Sequence, residues 1–129
     1  MRYLLDTHTI IWYYENSPEL PRNISALIDN PAISISICSV SLWEIAIKMN
    51  LGKLNLNLPL DELLDNIKNR DFNILQIKDE YLSGLSTLPY IHKDPFDRLL
   101  ISTAIAEDLT VITIDENIQK YDVRWVWQK

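Results

Sequence analysis

Short apolar runs alternate along this chain with longer stretches whose apolar positions recur every three or four residues. The first kind of segment reads as buried strand and the second as amphipathic helix. Residues 2–5 make the first run, cut off at Asp6. Residues 7–15 predict a helix, with Thr7 as its cap and Ile10, Ile11 and Tyr14 on one face. Pro18 and Pro21 interrupt it, and Pro21 opens a second helix, as a first-turn proline, that reaches Asp29. Ile33-Ser34-Ile35-Ser36-Ile37 alternates strictly, the pattern of a half-buried strand.

Ser41 and Glu44 have the spacing of a capping box, which starts a helix over residues 42–51 that Gly52 ends. Residues 60–70 predict a helix with Leu60, Leu63, Leu64 and Ile67 on one face. Residues 72–77 predict a strand and residues 78–88 a helix stopped by Pro89. Asp94-Pro95-Phe96-Asp97 then starts a strong helix, Asp94 capping and Pro95 in the first turn, that runs to about Asp108. Residues 110–114 form a β-branched strand ending at Asp115, and residues 123–127 a last one. Strands alternating with helices predict an α/β fold, three layers deep, with a central and mainly parallel sheet. Ligand sites in such sheets lie at the carboxyl ends of the strands. Asp6 and Asp115 stand at two of those ends.

Composition narrows the chemistry. The 129 residues suit one domain, residues 1–129, without disulfide or structural metal. The one cysteine, Cys38, cannot form an internal disulfide, and two histidines are too few for a zinc cluster. The N-terminus lacks the apolar core of a signal peptide, and no run is long enough to span a membrane, so a cytoplasmic protein is expected. There is no glycine-rich phosphate loop and no nucleophile elbow around the serines. The net charge of −6 argues against a broadly basic nucleic-acid surface.

The acids themselves hold the sharper signal. Asp6, Glu44, Asp97 and Asp115 all follow strands or open helices in strongly apolar surroundings. If they share one crevice they repel one another until protons or cations neutralise them. Oxygen donors without His or Cys point to Mg²⁺ or Mn²⁺. Each acid also has a plain structural reading. Asp6 can end a strand, and Glu44 can serve the capping box or pair with Lys48. Asp97 can answer the helix dipole, and Asp115 can cap a short helix over residues 116–120. Trp12 and Trp43 read as helix-packing residues.

Four segments, in this order, resemble the PIN-domain proteins, and more narrowly the VapC-type ribonuclease toxins. They are Leu4-Leu5-Asp6-Thr7-His8-Thr9, the stretch from Val40 through Glu44 to Lys48, the stretch from His92 through Asp94-Pro95-Phe96-Asp97 to Ile101, and Val111-Ile112-Thr113-Ile114-Asp115. The resemblance implies an α/β/α fold and Mg²⁺- or Mn²⁺-assisted hydrolysis of RNA. It also implies a homodimer and a cognate antitoxin. Its acidic quartet falls on Asp6, Glu44, Asp97 and Asp115. Asp6 and Asp97 would hold the metal directly, and Glu44 and Asp115 directly or through water. Thr113 matches a hydroxyl residue that orients a carboxylate or water, while Asp94 keeps its capping role. His8 and Arg98 match motif positions without being catalytic on that ground. Asn117 stands where many relatives carry a further acid or amide. Lys48, Lys53, Lys93 and Arg98 flank the motifs as a basic rim for RNA. Two other readings stay open: a phosphohydrolase of small phosphate esters and a non-catalytic binding or dimerisation module. Against the former, an aspartate-nucleophile phosphatase would carry an acid where this chain has His8.

Overall fold

The computed structural model describes residues 1–127. The chain runs β1 (Arg2–Leu5), α1 (Thr7–Tyr14), α2 (Arg22–Asp29), β2 (Ser34–Cys38), α3 (Ser39–Asn50) and α4 (Leu60–Lys68). It continues through β3 (Asn73–Leu75), α5 (Asp79–Ser86), α6 (Pro95–Glu107), β4 (Thr110–Ile112), α7 (Glu116–Gln119) and β5 (Trp125–Val126). The five strands form one sheet in the order β3-β2-β1-β4-β5. Every neighbouring pair is parallel, which sharpens the expectation of a mainly parallel sheet.

Strand alternation splits the core in two. Tyr3, Leu5, Ile35, Ile37 and Ile112 face one layer, where Ile10 and Ile11 of α1, Ile24 and Ile28 of α2, and Leu63 and Ile67 of α4 cover them. Leu4 and Val111 face the other, against Tyr81 of α5 and Leu99, Leu100, Ile101 and Ala104 of α6. This is the three-layer α/β/α arrangement. From β1 the chain builds outward to β2 and β3, then returns to the other side of β1 with β4. The direction reverses between β1 and β4, and such a switch point opens a crevice at the carboxyl ends of the strands.

Several boundaries differ from the sequence reading, each for a local reason. Asp6, not Thr7, caps α1: its side chain accepts from the Thr9 N–H, while Thr7 is already helical. The Ser41–Glu44 capping box does not form. β2 passes directly into α3, which starts at Ser39 with Cys38 at its cap position and no side-chain cap. The Ser41 hydroxyl is left buried with no hydrogen-bond partner. β2 is buried on both faces, Ser36 included, because helices cover each side of an inner parallel strand. Pro21 sits at the cap position of α2 and not inside its first turn. β4 stops at Ile112, and the Thr113 carbonyl just beyond it accepts from Gln119 Nε2 at 3.1 Å. Gly52, at φ +72°, ends α3 as expected, with its N–H on Met49 O and that of Lys53 on Lys48 O. Among the described residues no helix is long and apolar enough to cross a membrane.

Candidate functional site

β1 and β4 lie side by side, with Leu5 opposite Ile112. Their ends deliver Asp6 and Thr113 to the mouth of the switch-point crevice. Asp6 is 2% exposed. Its Oδ1 accepts from the Thr9 N–H at 2.8 Å and its Oδ2 from the Thr113 hydroxyl at 2.5 Å. Thr113 Oγ1 in turn accepts from the Asp115 N–H at 2.9 Å, so one hydroxyl ties the two acids together. Burial raises the Asp6 carboxyl above its ordinary range, against the hydrogen bonds from Thr113 and Thr9.

Glu44 comes from the second turn of α3 and is 3% exposed. The Thr7 hydroxyl donates to its Oε1 at 2.7 Å, and Lys48 Nζ lies 2.6 Å from its Oε2. That i, i+4 pair is the Lys48 contact expected for Glu44. Burial alone would lower the Lys48 ammonium, but Glu44, Asp94 and Asp97 together hold it above its usual value.

Asp94 caps α6, accepting from the Phe96 and Asp97 N–H groups at 2.9 and 3.1 Å. Pro95 occupies the first turn beside it. This places Asp97 one turn into the helix, facing the crevice. Its carboxyl is pushed up to about 8, first by burial and then by the charges of Asp94, Asp115, Glu44 and Asp6. Asp6, Glu44, Asp115 and Asp94 therefore all lie within electrostatic reach of Asp97. Asp115 caps α7 through the Asn117 N–H, so its helix-capping role is also real.

A family profile for the PIN domain matches residues 3–124. The chain belongs to the PIN-domain family. Solved structures agree on the fold. The Rickettsia felis VapBC2 complex, bound to a promoter DNA fragment, matches at 21% identity over 99% of this chain and 100% of that one, with a TM-score of 0.74. The DNA-bound VapBC of Salmonella typhimurium matches at 16% identity over 98% and 97%, with a TM-score of 0.68. FitAcB of Neisseria gonorrhoeae matches at 17% over 95% of each chain, with a TM-score of 0.67. No curated protein sequence matches significantly.

In this PIN domain the donor set fits a hydrated divalent cation. Among the described residues no three His, Cys, Asp or Glu side chains close around a single point. Mg²⁺ does not need them to, because it keeps several waters and takes one or two carboxylates directly. Hydroxyls hold two of the carboxylates in place, Thr113 on Asp6 and Thr7 on Glu44, and like charges crowd Asp97.

Other residues fall differently from their sequence reading. Thr7, read as a cap, is a Glu44 partner. Arg98 is not part of a basic rim: it is 9% exposed, and its guanidinium donates to the carbonyls of Pro89 and Leu88 and to the Tyr121 hydroxyl. Lys48 is committed to Glu44, while Lys53 and Lys93 are exposed. Trp43 is 59% exposed, with its ring edge-on to Phe96 at 5.4 Å, instead of buried as a packing residue. His8 is exposed. His92 reaches Asp97: its Nε2 lies 3.3 Å from Oδ2. The chain order of His92 and Asp97 signals proximity, but nothing in it signals Tyr121, which holds the other side of the same ring at 2.8 Å.

Proposed function

We propose that this PIN domain is a metal-dependent endoribonuclease, the toxin of a type II toxin–antitoxin pair. It would hydrolyse RNA phosphodiester bonds at Asp6, Glu44, Asp97 and Asp115. One observation carries the reading: at the switch point of the sheet, burial and four neighbouring acids push the Asp97 carboxyl up to about 8. Such a site stores negative repulsion that a divalent cation relieves. The all-oxygen donor set favours Mg²⁺, with Mn²⁺ as substitute. When bound, that ion would polarise a phosphoryl oxygen and make a water acidic enough to give up a proton and so become the nucleophile at phosphorus.

The protein's own residues prepare this chemistry. Asp6 and Asp97 would hold the cation, and Thr113 fixes the rotation of Asp6 while tying the Asp115 backbone to it. Thr7 and Lys48 orient Glu44. The Lys48 ammonium offsets part of the charge of Glu44, Asp94 and Asp97. Likeness to chains of VapBC and FitAB complexes supports a cognate antitoxin as protein partner, and a homodimer is what the resemblance to VapC-type toxins implies.

The test offers structured and single-stranded RNA to the purified protein with Mg²⁺, with Mn²⁺, with EDTA, and as Asp6→Asn. Cleavage should need the metal. It should fall in Asp6→Asn by more than the ~10–100-fold that loss of a supporting residue costs. Cleavage that survives both EDTA and the substitution overturns the metal-carboxylate reading. A folded protein that cuts no RNA with either metal would instead be a binding module that keeps the fold.

A further inference from the structure

Tyr121 follows α7, is 5% exposed, and presents its hydroxyl to three polar groups. The His92 backbone N–H donates to it at 3.2 Å, and Arg98 Nη1 donates at 3.0 Å. The third group is His92 Nδ1, at 2.8 Å. A phenolic oxygen has two lone pairs and one proton. The two N–H donors take both lone pairs, and neither donor can be reversed: a backbone amide only donates, and a guanidinium keeps its protons. The phenolic proton must therefore go to His92 Nδ1. An imidazole that accepts at Nδ1 carries its own proton on Nε2. That nitrogen lies 3.3 Å from Asp97 Oδ2.

We propose that His92 is a positioning residue for Asp97. On this view Arg98 and Tyr121 lock its ring in the Nε2–H tautomer, so that it donates to one carboxylate oxygen and sets the orientation in which Asp97 meets a divalent cation. The proposal rests on the reading of Asp97 as a metal-holding acid. Arg98 also grips the carbonyls of Leu88 and Pro89, which fixes the loop that carries His92. The Tyr121 ring supports the imidazole from the side, with centroids 5.4 Å apart. A donor held this firmly limits the rotation of a carboxylate that burial and like charges would otherwise turn away. Partners of this kind behind metal-holding groups are worth about 10–100-fold in metal affinity.

The experiment titrates Mn²⁺ into the purified protein by electron paramagnetic resonance, for wild type, His92→Leu, His92→Gln, Tyr121→Phe and Asp97→Asn. ¹⁵N NMR reads the His92 tautomer, assigned with His8→Gln because the chain has only two histidines. His92→Leu should weaken Mn²⁺ binding by about 10–100-fold. His92→Gln, whose amide places an N–H near the lost Nε2–H, should restore most of it. Tyr121→Phe should weaken binding less and release the tautomer, which in wild type should be Nε2–H. A proton found on Nδ1 in wild type overturns the proposal, as does wild-type Mn²⁺ affinity in His92→Leu. Failure of His92→Gln to recover affinity while remaining folded overturns it too. If wild type binds no Mn²⁺ that Asp97→Asn removes, the metal reading itself falls and this proposal with it. Binding lost in Asp97→Asn but intact in His92→Leu overturns the proposal alone.

Discussion

Each oxygen of Asp6 is held by a different part of the chain, one by the first turn of α1 and one by the residue after β4. Asp97, by contrast, faces like charges. Its position one turn into α6 favours ionisation through the helix dipole, yet burial and four neighbouring acids win and push it up to about 8. The sign of the consequence follows from linkage. An unfolded Asp titrates near ~3.9, so between about pH 4 and about 8 the folded chain holds a proton that the unfolded chain has lost. Raising pH through that window therefore removes stability, and the loss levels off above about 8. Asp6, also raised, acts in the same direction. In EDTA the melting temperature should fall as pH rises from about 5 to about 8.5. Asp97→Asn should flatten part of that slope, and Mg²⁺ should recover stability most at the high-pH end, where the carboxylates are ionised. Calorimetry at stepped pH checks this; a metal-free melting temperature that rises across the window would contradict it.

At the scale of elements, α5 and α6 meet at Gly84. A Cβ built there would lie 2.7 Å from Ser102 Oγ, and that hydroxyl already donates to the Tyr81 carbonyl at 2.6 Å. Gly84→Ala would gain about 1 kcal/mol of helix propensity but must displace a buried, bonded hydroxyl, and overpacking costs about 1–3 kcal/mol. Urea midpoints should show Gly84→Ala destabilising in wild type and stabilising in a Ser102→Ala background; stabilisation in both would show that the contact is not tight. Elements of this kind were legible where local chemistry decides them. Asp94-Pro95 marks the start of α6, Gly52 marks the end of α3, and the acids after β1 and β4 mark the strand ends that make the crevice. The capping box at Ser41 was misleading because tertiary continuity from β2 into α3, not a side-chain cap, sets where that helix begins. Asp6 took the capping place read for Thr7, and Thr7 turned to Glu44, because a cap and a partner for a distant acid look alike in one dimension. Of the Tyr121–His92–Asp97 chain, only the nearness of His92 to Asp97 could be read. Its first two members are 29 residues apart and meet only because α6 and α7 pack on the same side of the sheet.

The charge of the whole molecule, −6, first counted against a nucleic-acid partner. The crevice changes what that figure means, since Asp6, Glu44 and Asp115 all act on Asp97 there, and on the proposed reading a divalent cation would convert that place from repelling phosphate to attracting it. The cations left to help are fewer than the sequence suggested. Lys48 is paired with Glu44, Arg98 is buried under Tyr121, and Lys53 lies past the end of α3. Lys93 combines exposure with a place in the loop between His92 and the cap of α6. RNA affinity should therefore depend steeply on the divalent ion and only weakly on monovalent salt. For single strands each neutralised phosphate contributes about 0.7 to the slope of log affinity against log salt. Lys93→Ala should reduce that slope by about 0.7, and Lys53→Ala should leave it unchanged. Fluorescence anisotropy with labelled single-stranded RNA checks this, using Ca²⁺ in place of Mg²⁺ and gels to verify that the RNA stays intact. A steep slope that neither variant alters would mean that RNA is held by a basic surface elsewhere on the molecule, and that the metal crevice is not where its backbone lies.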